Sequence, residues 1–197
     1  MYTRVNMIFG HPDMVKDGIA QLEESDRGAV EAAAGNRGLT TVVDRQAGVI
    51  VVVSYWDEPE HSTAAALTRA RADAVAAAGG DLVVETFEVA SQEWVSVPAA
   101  GAVVRMVRVR IDPGTVTEAL GFIRDEVLPR LRTEAGFCGA ELMIDRSSGA
   151  GVLLATWTDE VAATQCDTLI ERVRDEAERR GSTTFPRTET YALVRTT

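Results

Sequence analysis

The chain alternates between stretches that are apolar almost throughout and stretches in which apolar residues recur on one side. Residues 49–56, VIVVVSYW, are of the first kind, which is typical of a strand covered on both faces. Over 15–30, after Pro12, and over 116–131, after Pro113, apolar residues keep the spacing of one helix face. Proline is tolerated in the first turn of a helix. The pattern therefore predicts helices that begin near the two prolines.

Each half of the chain is predicted to run strand, helix, strand, strand, helix, strand. In the first half the predicted strands are 3–9, 38–44, 49–56 and 82–89, and the second helix is 58–78. In the second half the first strand is 103–111, the second helix is 159–180 and the last strand is 187–195. We expect Gly79-Gly80 and Gly181 to stop the second helices. We expect Pro129 to kink or end the helix before it, because its ring clashes with the preceding turn.

One stretch of the sequence occurs twice. Residues 42–58, VVDRQAGVIVVVSYWDE, recur as 143–159, MIDRSSGAGVLLATWTD, at an offset of 101 positions. The offset pairs the turn glycines and the final tryptophans of the two stretches, and glycine suits a hairpin turn that needs a positive φ. Similarity at a fixed period indicates a repeated structural unit. The sequence therefore predicts a first unit at 1–90, a linker at 91–101 and a second unit at 102–197.

The apolar third strands decide the predicted fold class. A sheet with helices on one face leaves its other face uncovered, and the second copy of the same sheet is the obvious cover. We therefore expect an α+β protein in which two tandem βαββαβ units pack sheet to sheet as a barrel within one chain. The two halves should be related by a pseudo-two-fold axis.

The repeated residues resemble a known family. The sequences Gly136-Phe137-Cys138-Gly139, Asp145-Arg146 and Trp157-Thr158-Asp159, with their counterparts in the first copy, are similar to those of the antibiotic biosynthesis monooxygenase (ABM) family. That family belongs to the dimeric α+β barrel superfamily, whose units are ferredoxin-like. The resemblance covers both halves and implies a tandem pair of ABM-like units.

The resemblance also implies an activity and a site. Cofactor-free monooxygenases of this family oxidise a phenolic polyketide with O₂, in a pocket lined by an Asn of the first strand and the Trp that ends the third. Asn6 and Trp56 match these positions, so they are the candidate catalytic residues. The second copy keeps Trp157 but has Val107 opposite Asn6, and we expect it to be the structural copy. Further candidates for the substrate pocket are Tyr55, His61, Arg37 and Trp157.

Other functions stay open at this point. The Trp residues suit a packing role as well as a ligand wall, and a non-catalytic small-molecule-binding or structural barrel is the alternative to a monooxygenase. Haem degradation is the third hypothesis, but the family's haem ligand is a His of the second helix. The chain has Ala64-Ala65-Ala66-Leu67 there, and only His61 lies near. We find no cofactor motif and no metal-ligand spacing around Cys138 and Cys166, so we expect neither cofactor nor metal.

Charge and hydropathy limit the kinds of binding partner and the compartment that we expect. The chain carries 20 basic and 30 acidic residues, a net charge of −10, which disfavours nucleic acid and anionic membranes. The N-terminus lacks the pattern of a signal peptide, and no apolar run reaches the roughly 20 residues of a membrane span. We expect a cytoplasmic protein that binds a small molecule, and self-association of the pseudo-dimer stays open. Lys16 is the only lysine, which indicates a GC-rich, bacterial genome.

Overall fold

The structure, a computed structural model, describes residues 1–63, 65–180 and 183–197, without the side chains of residues 65 and 66. The described chain forms two compact units. Unit 1 consists of residues 1–87 with 193–197, and unit 2 consists of residues 88–192. The last strand of each sequence repeat is therefore divided between the units, which differs from the predicted boundaries.

Unit 1 follows the predicted order of elements. Its elements are β1 (Tyr2–Phe9), a 3₁₀ turn (Pro12–Met14), α1 (Val15–Ala20), a π-helical turn (Gln21–Asp26), α2 (Arg27–Glu31), β2 (Asn36–Asp44), β3 (Val49–Trp56), a second 3₁₀ turn (Pro59–Thr63), α3 (Ala65–Ala78) and the first part of β4 (Asp81–Trp94). β3 pairs antiparallel with both β1 and β2. Helix and sheet side chains such as Val15, Ile50 and Ala78 form the core between the layers.

Unit 2 repeats the arrangement. Its elements are the end of β4, β5 (Val103–Ile111), a 3₁₀ turn (Pro113–Thr115), α4 (Val116–Phe122), a π-helical turn (Ile123–Val127), α5 (Leu128–Leu131), β6 (Phe137–Ile144), β7 (Ala150–Trp157), α6 (Glu160–Gln165), α7 (Asp167–Arg179) and most of β8 (Thr183–Thr196). β7 pairs antiparallel with β5 and β6. Asp159 begins α6 as its cap, because its side chain accepts the backbone N–H of Ala162.

The two repeats match in register as well as in order. Asn6 lies opposite Val52 in unit 1, and Val107 lies opposite Leu153 in unit 2. Both second strands carry an irregularity at the same place, between Asn36 and Gly38 and between Phe137 and Gly139. Gly48 and Gly149 have φ values of 74° and 69°, as expected for the glycine of a tight hairpin turn. The constant offset in sequence is therefore an equivalence in structure.

Several predicted boundaries need correction. Helical structure continues through Pro129 to Leu131, so this proline does not end the helix. The π-helical turn before it is also present in unit 1, where the matching residue is Gly28, so proline is not its cause. β4 and β8 are longer than predicted, and Ser91–Trp94 of the predicted linker pair with β6. The predicted helix stop at Gly181 lies outside the described residues. Among the described residues, no helix is both long and apolar enough to cross a membrane.

Candidate functional site

Unit 1 contains a cavity between its sheet and its helices. The sheet supplies Asn6, Ile8, Leu39, Thr41, Val52, Ser54 and Trp56, and the helical segments supply Leu22, Glu23, Asp26, Arg27, Val30, Ser62, Leu67, Ala70, Arg71 and Ala74. The two predicted catalytic residues therefore line one cavity. The cavity offers about 40 Å³ to water-sized molecules, which is room for a few waters.

Trp56 presents its ring to this cavity but no free donor. Alternation along β3 places Val52, Ser54 and Trp56 on one face of the sheet, and Trp56 is only 1% exposed. Its indole Nε1–H donates to Ser54 Oγ at 2.9 Å, and Ser54 Oγ in turn donates to the carbonyl oxygen of Arg4 at 3.3 Å. The indole is thus a flat, fixed wall.

Asn6 presents an acceptor to the cavity. Asn6 is 6% exposed, and its amide Nδ2 lies 3.4 Å from the carbonyl oxygens of Arg4 and Val52. The buried Oδ1 has no hydrogen-bond partner. The opposite amide orientation would place Oδ1 against two carbonyl oxygens, so the network favours the orientation described. The amide N–H group of Asn6 therefore faces the strand backbone.

A buried ion pair forms one side of the cavity. The Arg27 side chain is 2% exposed. It lies 3.2 Å from Glu23 and 2.9 Å from Glu31, and it donates to the carbonyl oxygen of Leu39 at 2.9 Å. Glu23 Oε1 also accepts the hydroxyl of Thr41, whereas the buried Oε2 of Glu23 has no hydrogen-bond partner. The cavity thus contains two unpartnered acceptor atoms, Asn6 Oδ1 and Glu23 Oε2.

Two further ionisable groups in the cavity have shifted pKa values. Asp26 is 8% exposed, and burial raises its pKa, reinforced by Asp73 and opposed by the hydrogen bond from Gln21. Burial and, as the smaller cause, the positive charge of Arg4 together lower the pKa of Arg71 to about 10. A carboxyl group that is reluctant to ionise and a partly desolvated guanidinium thus share the cavity. Such a pair is able to take up a proton and to balance an anion.

Three other predicted pocket residues do not line this cavity. Tyr55 is buried, but it follows Ser54 in the strand and points to the opposite face. Arg37 is exposed and forms a two-pronged ion pair with Asp57, with Nη2–Oδ2 at 2.8 Å. This contact lowers the pKa of Asp57. His61 is exposed and its imidazole lies over Gly35, leaving no room for a Cβ there.

Sequence reasoning missed the polar groups around Asn6 and Trp56. Comparing the two copies at the constant offset would have found them, because six polar residues of unit 1 have apolar counterparts in unit 2. The pairs are Asn6 and Val107, Asp26 and Val127, Arg27 and Leu128, Thr41 and Leu142, Ser54 and Ala155, and Ser62 and Ala163. A polar set present in one copy alone marks the cavity of unit 1 as chemically distinct.

Unit 2 has a cavity at the equivalent place, and it is larger. It offers about 190 Å³ to water-sized molecules. Its walls are Val107, Val127, Leu131, Leu153, Ala155, Trp157, Ile170, Val173 and Phe185, with Arg105, Asp167, Glu171, Arg174 and Thr188 among the polar lining residues. Trp157 packs edge to face against Phe137, with ring centroids 5.2 Å apart. The predicted pocket residue Trp157 thus lines the cavity of its own unit.

The next feature is the set of possible metal ligands, together with the Cys166 thiol. Over residues 1–63, 65–180 and 183–197, no three His, Cys, Asp or Glu side chains gather as a metal site. Burial raises the pKa of the Cys166 thiol to about 11, so this thiol is protonated and unreactive near neutral pH. The segment considered for a haem-binding histidine includes Ala64, which lies outside the described residues.

Comparison with known proteins gives relatives and structural neighbours. No protein-family model matches the chain. The uncharacterized protein Rv2557 of Mycobacterium tuberculosis is 30% identical over 179 residues, which cover 90% of this chain and 77% of that protein. The uncharacterized protein Rv2558 of the same organism is 31% identical over 147 residues, covering 74% of this chain and 62% of that protein.

The solved structures match almost the whole chain at low sequence identity. A proposed monooxygenase of Lactobacillus acidophilus has a TM-score of 0.71 at 10% identity, covering 98% of this chain and 93% of that one. An anthrone oxidase-like protein has a TM-score of 0.69 at 14% identity, with coverages of 100% and 92%. The haem-degrading enzyme LmHde of Listeria monocytogenes has a TM-score of 0.57 at 8% identity, with coverages of 98% and 99%.

These likenesses show the fold, and they confirm the predicted α+β class of tandem ferredoxin-like units. Each neighbour is covered along 92% or more of its length, so the match extends over both repeats. The chain belongs to the family of the mycobacterial protein Rv2557, and its fold is that of the ABM-type monooxygenases and related dimeric α+β barrel proteins.

Proposed function

We propose that the chain is a cofactor-independent monooxygenase of the ABM type, which oxidises a small electron-rich aromatic molecule in the cavity of unit 1. The observation that carries the proposal is the polar set in that cavity. Asn6, Asp26 and Ser54 surround Trp56 there, whereas the equivalent residues of unit 2 are apolar. Polar and ionisable groups that are buried in a cavity cost stability, so their concentration in one copy favours a chemical role.

The proposed division of roles follows the hydrogen bonds. The aromatic ring of the substrate lies against the Trp56 indole, and a hydroxyl of the substrate donates to the free Oδ1 of Asn6. Asp26 takes the proton from a phenolic oxygen, and Arg71 balances the charge of the resulting phenolate. Deprotonation makes the ring more electron-rich, so that the substrate itself supplies all four electrons that reduce O₂: the substrate loses two hydrogens, one oxygen atom becomes a carbonyl oxygen of the product and the other leaves as water. Asn6 therefore acts as an acceptor that positions the substrate.

The size of the cavity sets a condition on this proposal. Its volume of about 40 Å³ is smaller than the roughly 150 Å³ that takes up benzene in an engineered cavity. A ring therefore enters only if a lining side chain moves. Arg71 is partly exposed, so its long side chain is the one that we expect to swing aside. Arg71→Ala should then admit larger rings and weaken the binding of phenolates.

Oxygen consumption with a panel of phenols and anthrone-like compounds tests the proposal. Asp26→Asn should lower turnover by about 10²-fold or more, the usual contribution of a general base, and Asn6→Ala should raise KM. Trp157→Phe, at the position of unit 2 that is equivalent to Trp56, is the control. It should leave turnover within about twofold once its folded fraction is measured. Turnover that depends on Trp157 but not on Asn6 or Asp26 would place the reaction in the other unit.

A non-catalytic small-molecule-binding barrel is the second candidate. The observation in its favour is that the N–H groups of Asn6 and Trp56 are already bonded within unit 1. An oxygenase that stabilises a developing oxyanion through these two groups would need them free. Calorimetry with the same panel in the absence of O₂ separates the two functions. Binding with no oxygen consumption would favour the second.

A further inference from the structure

We infer that unit 2 carries a second ligand site, distinct from the proposed reaction site, which takes up a single uncharged aromatic ring that has no hydrogen-bonding groups. The site is the cavity lined by Leu153, Ala155 and Trp157 of β7 together with the facing helices. Its occupant differs in chemistry from any ligand of unit 1, because six polar residues that line the cavity of unit 1 have apolar counterparts in unit 2.

The volume of the cavity is the first argument. At about 190 Å³ it exceeds the roughly 150 Å³ of an engineered apolar cavity that binds benzene. Protein interiors are close-packed and contain few voids larger than a water molecule. A mostly apolar space of this size is therefore unlike ordinary packing, and its size fits one aromatic ring with a small substituent.

The hydrogen bonding of the lining residues is the second argument. Arg105 is bonded to Asp167, and Arg174 is bonded to Thr188 while its guanidinium lies 5.5 Å above the Phe185 ring. Among the described lining residues of this cavity, no side chain has a buried polar atom without a partner. A ligand hydroxyl that reached the buried part of the cavity would therefore have no partner there and would lose its hydration. The site therefore discriminates against polar substituents.

The aromatic lining is the third argument, and it selects a ring over an aliphatic chain. Trp157 and Phe185 both line the cavity, and Trp157 already packs edge to face with Phe137. A ligand ring would extend this arrangement, because aromatic pairs gain from edge-to-face and offset contacts beyond the area they bury. Trp157 would also report the binding through its fluorescence.

The experiment measures the binding of toluene to the full chain by calorimetry and by the fluorescence of Trp157 in a background in which the other two tryptophans are replaced, Trp56→Phe with Trp94→Phe. We expect saturable binding of toluene, and binding of phenol and benzyl alcohol that is at least about tenfold weaker. Ala155→Leu and Leu153→Phe each fill the cavity and should abolish toluene binding. Two such variants are used so that the test still stands if one of them fails to fold. Val52→Leu, the matched change in unit 1, should leave it intact.

Three outcomes would overturn the inference. The first is no saturable binding of toluene by the folded chain. The second is toluene binding that survives both Ala155→Leu and Leu153→Phe in folded protein. The third is loss of binding on Val52→Leu, which would place the apolar ligand in unit 1. None of these outcomes depends on turnover, so the test stands apart from the proposed monooxygenase activity.

Discussion

The cavities of the two units lie at the same place in the same backbone but have opposite chemistry. Both are walled by the Trp that ends the third strand, and both face the middle of the first strand. In unit 1 that strand presents Asn6, whose Oδ1 has no partner, and in unit 2 it presents Val107. The comparison teaches that the fold depends on the shared glycines and apolar spacing. The chemistry depends on the side chains in the cavity, which differ without changing the register.

Unit 2 also shows that the polar lining of unit 1 is not needed to form these elements. Unit 2 forms the same elements with Val127 and Leu128 where unit 1 has Asp26 and Arg27. Buried charges and unpartnered acceptors cost stability unless they are compensated. Places where a sequence departs from the stable choice tend to be functional. The comparison therefore supports a role for unit 1 in binding or catalysis, and it can be tested by exchanging residues between the units.

The largest effect is expected from Arg27→Leu, which gives unit 1 the residue found at 128 in unit 2. The variant leaves Glu23 buried without its cation, and breaking a buried ion pair typically costs about 3–5 kcal/mol. Chemical denaturation measures the free energy of unfolding. The double variant Arg27→Leu with Glu23→Leu removes both charges and should recover most of the loss. A loss below about 1 kcal/mol in the single variant would show that Arg27 is not needed in the core.

The next largest effect on stability is expected from exchanging the residues at positions 6 and 107, that is, from Asn6→Val and Val107→Asn. Val107→Asn buries an amide in an apolar wall and should destabilise the chain by about 1–3 kcal/mol. Asn6→Val removes an acceptor that has no partner together with two long hydrogen bonds of 3.4 Å, so it should change stability by less than about 1 kcal/mol, and it should abolish ligand binding in unit 1. Denaturation curves of both variants provide the measurement. Equal destabilisation by the two substitutions would mean that Asn6 serves the fold, and the contrast between the cavities would lose its functional meaning.

Much of the fold could be predicted from the sequence. The apolar third strand, the helix spacing after Pro12 and Pro113 and the turn glycines each have a direct physical cause, and their repetition made the prediction stronger. The π-helical turns at 21–26 and 123–127 could not be predicted, since QLEESD and IRDEV share no pattern. The ends of β4 and β8 were missed because pairing with a neighbouring strand, rather than composition, extends them.

The catalytic role of the candidate residues stays a prediction. Asn6 and Trp56 line the same cavity, because each points to the helix side of its strand. Tyr55 could have been excluded, since alternation along β3 places it on the face opposite Trp56. Asp26 and Arg27 were missed because charged residues in a helix usually face water, although the apolar residues Val127 and Leu128 at the equivalent positions of unit 2 mark the same side of the helix as the inner one.

A smaller effect should appear in the pH dependence of stability. Burial raises the pKa of Asp26 above its ordinary value of 3.8, so the folded state holds this proton more tightly than the unfolded state does. Stability is therefore lost as pH rises from about 3.8 through the folded pKa, and the loss is constant above it. Asp26→Asn removes this dependence. Its stability relative to the wild type should rise over that pH range.

A control of opposite sign lies in the equivalent turn of unit 2. Asp125 is exposed, and its contact with Arg124 lowers its pKa. A lowered pKa contributes stability above the ordinary pKa that is lost as pH falls, so Asp125→Asn should lose stability relative to the wild type as pH rises. Denaturant unfolding at a series of pH values measures both variants. Opposite slopes are expected, and slopes of the same sign would contradict the assigned environments.

The smallest effect is expected from His61→Ala, which also gives unit 1 the residue of unit 2. His61 lies over Gly35 in unit 1, and Ala162 packs on Gly136 in unit 2. The shared role of the position is therefore to cover a turn glycine, whose φ is 75° in one unit and 76° in the other. His61 is exposed and does not line the cavity, so the substitution should change the free energy of unfolding by less than about 0.5 kcal/mol.

Haemin titration should give no Soret shift that depends on His61, because a haem ligand would have to reach the cavity. A tight Soret complex in the wild type that is lost in His61→Ala would show instead that the histidine turns inward, and haem binding would then replace the proposed oxygenase activity.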